Sequence, residues 1–267
     1  MKRYCLFIVF LVMCLVSCDL GIGTSDSRLS ADSLAIQRFD RVEARFLTTG
    51  DFSALQQMNI TYPMETRALV EDVLDLGPAN TLDFRDKFFK LYQDTLLQKL
   101  INDTEAAFTD MSDINRQMLS AFARFHQEVP DATMPSFYAQ IGAFTQSIVV
   151  DGNSIGISLD KYLGVDYPAY QRFYDEEQRK TMTPDYIVPD CMVFYLMSKY
   201  PLEHFDQRTK EERDIHLGTV LYIANKMVGK RMYDSPLTKT IEDYVKRHTN
   251  TTVKMLIENT DYSVFDK

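Results

Sequence analysis

Two spacings of apolar residues divide the chain. Over most of its length they recur every three or four residues, the period of a helix with one buried face; between Ser136 and Gly164 they recur every second residue, the period of a strand. Ile36, Phe39, Val42 and Phe46 predict a first amphipathic helix over 33–47, ended by Thr48-Thr49-Gly50-Asp51. A second is expected over 64–76, with Gly77 and Pro78 as its stop. Phe84, Phe88, Leu91, Tyr92, Leu96 and Leu100 share one broad face and predict a third over 81–100. Met118, Leu119, Phe122 and Phe125 predict a fourth over 112–125, closed by Pro130. These aromatic and methionine stripes read as core.

Strand chemistry is confined to the next stretch. Residues 137–144 alternate unevenly, while Ile148 to Val150 and Ile155, Ile157, Leu159 flank Asp151-Gly152, a hairpin signal. Tyr162, Tyr167 and Tyr170, with Pro168, read as packing for a loop leaving the sheet. A helix is expected over 186–200, with Pro189 tolerated in its first turn and Pro201 after its end. Thr209-Lys210-Glu211-Glu212 fits a capping box opening a long helix, whose buried face is Ile215, Val220, Ile223, Ala224, Met227 and Val228. Two short helices close the chain over 237–247 and 251–259. No fixed-period repeat is visible. The expected architecture is α+β and mainly α, with about eight helices around a small antiparallel sheet in a single domain over 34–267.

Composition narrows the function class. With 45% apolar residues the chain has material for a sizeable core. The formal net charge is -9; residues 1–17 carry Lys2 and Arg3 and no acid, so without those two positive charges it becomes -11. An acidic domain lacking a basic cluster argues against nucleic acid as a partner. Of the four cysteines, Cys5, Cys14 and Cys18 lie in the N-terminal apolar segment, which leaves Cys191 alone in the domain and no internal disulfide to form.

That N-terminal segment has its own pattern. Lys2 and Arg3 precede an apolar run from Cys5 to Val16 that is short for a membrane span. The run ends in Leu15-Val16-Ser17-Cys18, which resembles the lipobox of bacterial lipoproteins. The expectation is a signal peptide over 1–17, lipid attachment at Cys18, and a polar, Gly/Ser-rich tether completing 18–33. Several acyl chains, palmitate among them, on Cys18 give stable anchoring in the cell membrane or outer membrane, with the domain outside the cytoplasm, in the periplasm. Asp32-Ser33-Leu34 resembles a Bacteroidetes O-glycosylation acceptor centred on Ser33, which also reads as a polar helix-start residue. Asp94-Thr95-Leu96 fits the same three-residue pattern inside an expected helix.

Motifs for catalysis are lacking. A zinc peptidase needs two histidines one helical turn apart with a glutamate between them, so that both ligands share one face. His126, His204, His216 and His248 contain no such pair, and His126 and Glu128 point apart on a helix. A hydrolase would have to assemble its site by tertiary folding from His126, His204 or His216 with an acid. Cys191, after Asp190 on an apolar helix, reads as buried and inert. Asp151 and Asp160 read as a turn acid and a strand-end acid. Tyr162, Tyr167, Tyr170 and Tyr174 offer an aromatic face for a sugar or peptide, with packing as the simpler reading. There is no nucleophile elbow and no phosphate loop. No catalytic residue, metal or cofactor is expected.

Several segments do resemble a known family. Ile36-Gln37-Arg38-Phe39-Asp40, Ile157-Ser158-Leu159-Asp160-Lys161-Tyr162-Leu163-Gly164 and Tyr186-Ile187-Val188-Pro189-Asp190 are similar to the gliding-motility lipoproteins called GldB-like, from Bacteroidetes. So are Lys226-Met227-Val228-Gly229-Lys230-Arg231-Met232-Tyr233 and the closing Tyr244-Val245-Lys246 and Leu256-Ile257. The chain departs from the family pattern at 234–241, which is shorter than the insertion expected there. The resemblance implies a cell-envelope lipoprotein without enzymatic activity that works through envelope protein partners. It also implies a distant likeness to zinc peptidases, as a metal-free scaffold whose metal-binding helix would begin at Ile187-Val188-Pro189-Asp190-Cys191. The alternatives are a metallopeptidase-like hydrolase with a non-standard site and a periplasmic sugar- or peptide-binding lipoprotein.

Overall fold

The computed structural model describes residues 35–81 and 83–266. Cys18, Ser33 and the expected signal peptide and tether lie outside the described residues. Residues Ile36 to Arg38 are not helical, and Gln37 bridges to Tyr138. Gln37 N–H donates to the Phe137 carbonyl at 2.9 Å and its carbonyl accepts from Ala139 N–H at 2.8 Å. The first helix, α1 (Phe39–Thr49), therefore starts later than its apolar period suggests, and ends on Gly50 in the left-handed region with φ 69°. Helix α2 (Phe52–Thr61), capped by the Asp51 side chain, has no counterpart among the expected helices. Phe52 and Ile60 are exposed while Leu55 and Met58 are buried, so apolar residues on both faces blur its period. Helix α3 (Pro63–Arg67) runs into a π-helical turn, Ala68–Val73.

The expected third helix is two, α4 (Phe84–Leu91) and α5 (Thr95–Ala107). The Asp94 carboxylate accepts from Leu96 and Leu97 N–H and starts the second, so Asp94-Thr95-Leu96 is a helix cap. Helix α6 (Ser112–Glu128) leads into β1 (Ser136–Gln140), β2 (Ile148–Asp151) and β3 (Ser154–Ser158). After a 3₁₀ turn at Leu159–Lys161 come α7 (Tyr170–Phe173), α8 (Glu176–Arg179), α9 (Ile187–Lys199), α10 (Lys210–Val228), α11 (Pro236–Arg247) and α12 (Val253–Ile257). The predicted capping box of α10 is present, with Thr209 and Glu212 exchanging hydrogen bonds. The mainly helical α+β class is as expected, with twelve helices among the described residues.

The sheet is mixed rather than antiparallel. Its order is β1-β3-β2, with β1 parallel to β3 and β2 antiparallel to β3. The Asp151-Gly152 turn fixes only the hairpin. Alternation along β1 carries no information on its partner, and β1 pairs with the third strand because residues 141–147 cross over the end of β3. Phe137, Ala139, Ile148, Ile155 and Ile157 face one hydrophobic cluster, built largely by α6, α9 and α10. Tyr138, Ile141 and Val149 face a second, built by α1, α2, the π-helical turn and α4. Full burial of such a side chain contributes roughly 1.5–3 kcal/mol, so a register slip of one residue would exchange the two cores at great cost.

The crossover is held by buried acids. Gly142 N–H donates to Asp160 Oδ1 at 2.7 Å and Phe144 N–H to Asp160 Oδ2 at 2.8 Å. Ile141 N–H donates to Glu43 Oε2 at 2.8 Å, and Tyr92 O–H donates to the Ile141 carbonyl at 2.6 Å. Ala143 and Phe144 sit in the left-handed region, with φ 49° and 65°. A Cβ on Gly142 would stand 2.6 Å from Ser158 Oγ, so the close approach to β3 requires glycine. Asp160 is the strand-end acid expected after β3, and it is fully buried.

Glu43 is also fully buried and its Oε1 has no hydrogen-bond partner among the described residues. Burial pushes its pKa well above the usual carboxylate range, with the nearby charges of Asp160 and Asp40 adding to the rise and the Ile141 hydrogen bond opposing it. The native state therefore binds a proton that the unfolded chain has lost. The resulting stability is full below the unfolded value of about 4.3 and is lost as pH rises through the folded value. Glu43→Gln is predicted to flatten this dependence. Between pH 4 and pH 8 the wild type should lose stability relative to the variant in urea unfolding. Parallel pH profiles would contradict the assignment.

Candidate functional site

The first turn of α9 meets two other segments around one carboxylate. Pro189 fits there because a first-turn N–H needs no helical partner, and an acid in that turn complements the helix dipole. Asp190 Oδ2 accepts from Tyr162 O–H at 2.8 Å and Oδ1 from Tyr233 O–H at 2.5 Å. Tyr162 arrives from the turn after β3, and Tyr233 from the segment after α10. The latter is stitched down by Asn225. Its amide donates to the Tyr233 carbonyl at 2.8 Å, and its Oδ1 accepts from Met232 and Tyr233 N–H at 2.8 and 2.9 Å. Gly229, at φ 78°, turns the chain out of α10 into this segment.

A cavity of about 220 Å³ opens beside this carboxylate, lined by Ser147, Lys161, Tyr162, Tyr174, Gln178 and Asp190 among others. Lys161 Nζ donates to the Phe144 carbonyl at 3.2 Å and to Tyr174 Oη at 2.8 Å, and lies 4.3 Å from the Tyr174 ring centre. Partial burial lowers its pKa, opposed by the Asp160 charge. Burial raises Asp190 to about 6, against the lowering effect of the Tyr233 and Tyr162 hydrogen bonds. The pair offers a carboxylate that changes charge near neutral pH and an amine in the same small polar cavity. Such an arrangement can hold a small polar group or exchange a proton, yet the Asp190 oxygens and the Lys161 amine already carry internal hydrogen bonds.

The other sequence candidates are scattered. His216 accepts from or donates to Tyr262 Oη at 3.2 Å and lines a separate cavity of about 300 Å³ with Glu203 and Arg208. His204 is exposed, at φ 56°, and His248 stacks on Tyr244 with ring centres 4.2 Å apart. The Nδ1 atom of His126 is buried without a hydrogen-bond partner among the described residues. Among the described residues no group of three His, Cys, Asp or Glu side chains could hold a metal ion. Cys191 is fully buried, which pushes its thiol pKa well up and makes the thiolate inaccessible. Tyr167 donates to Asp103 at 2.8 Å and Tyr170 to the Asp160 carbonyl at 2.5 Å. Together with Tyr162 and Tyr174, they brace the loop after the sheet. Asp151 closes the hairpin, as a turn acid.

The Asp190 contacts span 28 and 43 residues of sequence, beyond any local spacing rule. Glu43 was open to detection, since it lies beside Phe39, Val42 and Phe46 on the apolar side of α1. Asp190→Asn tests the electrostatics. The folded value lies above the unfolded one of about 4, so the contribution is full below pH 4 and lost as pH rises through about 6. The wild type should lose roughly 1–3 kcal/mol over that interval relative to Asp190→Asn, at the low end because the group borders an open cavity. Equal slopes in both proteins would contradict it.

Among the described residues no helix is long and apolar enough to cross a membrane. Comparison with known proteins gives no match to a curated protein and none to a solved structure, so the zinc-peptidase likeness gains no support. A family model described as gliding motility protein GldB matches residues 24–235. The match spans β1 to β3, the Asp160 and Asp190 environments and the Gly229-Lys230 turn, and starts after Cys18. On that coverage the chain belongs to the GldB family of gliding-motility lipoproteins.

Proposed function

We propose that the chain is a lipid-anchored component of the cell envelope, tethered through Cys18, that acts by binding protein partners rather than by catalysis. Family membership over residues 24–235 is the observation that carries the reading. The chemistry of the cavity beside α9 agrees with it. Both Asp190 oxygens are engaged by phenols and Lys161 by a carbonyl and a phenol, so these groups stitch five segments together. The dispersal of His126, His204 and His216 lends nothing to the hydrolase alternative. The lipobox-like Leu15-Val16-Ser17-Cys18 supports attachment at the bacterial membrane, with a signal peptide removed before Cys18.

The test is fractionation. Cys18→Ala is expected to move the protein from the membrane to the soluble fraction, or to leave it as an unprocessed precursor of higher mass. The wild type should carry acyl chains on Cys18, detectable by mass spectrometry. Unchanged membrane association with an unmodified Cys18 would overturn the anchor.

A further inference from the structure

One edge of the sheet is open. The outer edge of β1 is covered by Gln37, whereas among the described residues β2 pairs only with β3. The register Val149↔Gly156 and Asp151↔Ser154, with Ser158 N–H donating to the Ser147 carbonyl at 2.9 Å, turns the main-chain groups of residues 147, 149 and 151 toward β3. The N–H and C=O of Ile148 and Val150 therefore point outward, and no hydrogen bond to them is found among the described residues. Exposed edges are commonly blunted by lysine, proline or a bulge; Ile148-Val149-Val150-Asp151 has none of these within it.

The space beside this edge is shaped. A groove of about 630 Å³ runs along β2, bounded by Phe194, Met197 and Ser198 of α9 and by Asp72 and Gln146. Phe194 and Met197 are 39% and 45% exposed on a helix whose other large apolar residues are buried, and they lie one turn apart. Asp72 is exposed and makes no ion pair among the described residues, while Asp151 pairs with Arg67 at 3.5 Å.

We infer that β2 is a docking edge for an extended segment of another polypeptide, which adds a fourth strand. Its alternate side chains are apolar toward Phe194 and Met197, and a basic residue faces Asp72. The inference deepens the partner-binding reading of the preceding subsection by naming a surface and the chemistry of what it takes. The outward groups of Ile148 and Val150 give affinity without sequence preference; the groove gives the selection. A second copy is disfavoured because it would bring Asp72 and a chain of net charge -9 against the same charges. The chain's own N-terminal segment enters at Gln37, beside the opposite edge.

The test uses the full-length protein in mild detergent and fluorescein-labelled hexapeptides of alternating valine and lysine, with two controls. One control replaces lysine by glutamate; the other carries N-methyl groups on alternate amides. Saturable anisotropy is expected for the lysine peptide, at least tenfold weaker for the glutamate peptide and abolished by N-methylation. Val150→Pro removes one outward N–H while proline remains compatible with an edge strand, and Phe194→Asp alters the groove without touching the backbone. Each should weaken binding at least tenfold with thermal melting and circular dichroism unchanged. No saturable binding, or equal binding of the N-methylated peptide, would overturn the inference, while Cys18-dependent membrane retention would still report on the anchor separately. A dimer in sedimentation that Val150→Pro dissolves would reassign the edge to a second copy. Peptide binding seen only after deletion of residues 19–34 would reassign it to the chain's own tether.

Discussion

A buried carboxylate organises this fold from the end of its central strand. Asp160 accepts the amides of Gly142 and Phe144 and so fixes a crossover that passes over the end of β3. Two hydrogen bonds to one buried carboxyl group replace the water both amides would lose, and they hold Ala143 and Phe144 in left-handed conformations that such residues otherwise avoid. Release of the crossover would free β1 from its place beside β3. The two hydrophobic clusters, one on each face of the sheet, depend on that order.

The family's core motif becomes a set of physical roles in this light. Ile157 and Leu159 enter the cluster beneath α9. Ser158 Oγ accepts from the Gln140 amide at 3.1 Å, and Asp160 takes the crossover amides. Lys161 lines the cavity and donates to the Phe144 carbonyl and Tyr174 Oη, and Tyr162 reaches Asp190 on α9. The 186–190 segment supplies the receiving acid, and the Gly229-Lys230 segment supplies Tyr233 on its other oxygen. Three of the six family-like segments thus meet at Asp190. The same arrangement presses α9 beside β2 while leaving the outer edge of that strand uncovered.

Local signals were legible where local physics decides. The helical period placed α6, α9 and α10, the Thr209 capping box was visible, and Asp151-Gly152 marked the hairpin. The sequence misled where tertiary partners decide. Gln37 joins β1 instead of a helix because an edge strand offers it two hydrogen bonds. Asp94 breaks an unbroken apolar stripe because its cap outweighs the stripe's continuity. The pairing of β1 with β3 is set by the crossover, whose acids lie about a hundred residues before it and less than twenty after it, with Glu43 at 98 and Asp160 at 18 and 16 residues' separation. The family likeness pointed to Asp160 and Asp190 without saying what either does.

Amide hydrogen exchange resolved to single residues tests the central claim most directly. Ile141, Gly142 and Phe144 lie outside regular secondary structure, yet the account predicts protection close to that of the β3 amides, because buried carboxylates hold them. Ile148 and Val150, within a strand, should exchange far faster than Val149 between them. Rapid exchange at Gly142 and Phe144, with uniform protection along β2, would mean that the acids do not hold the crossover and that the β2 edge is closed.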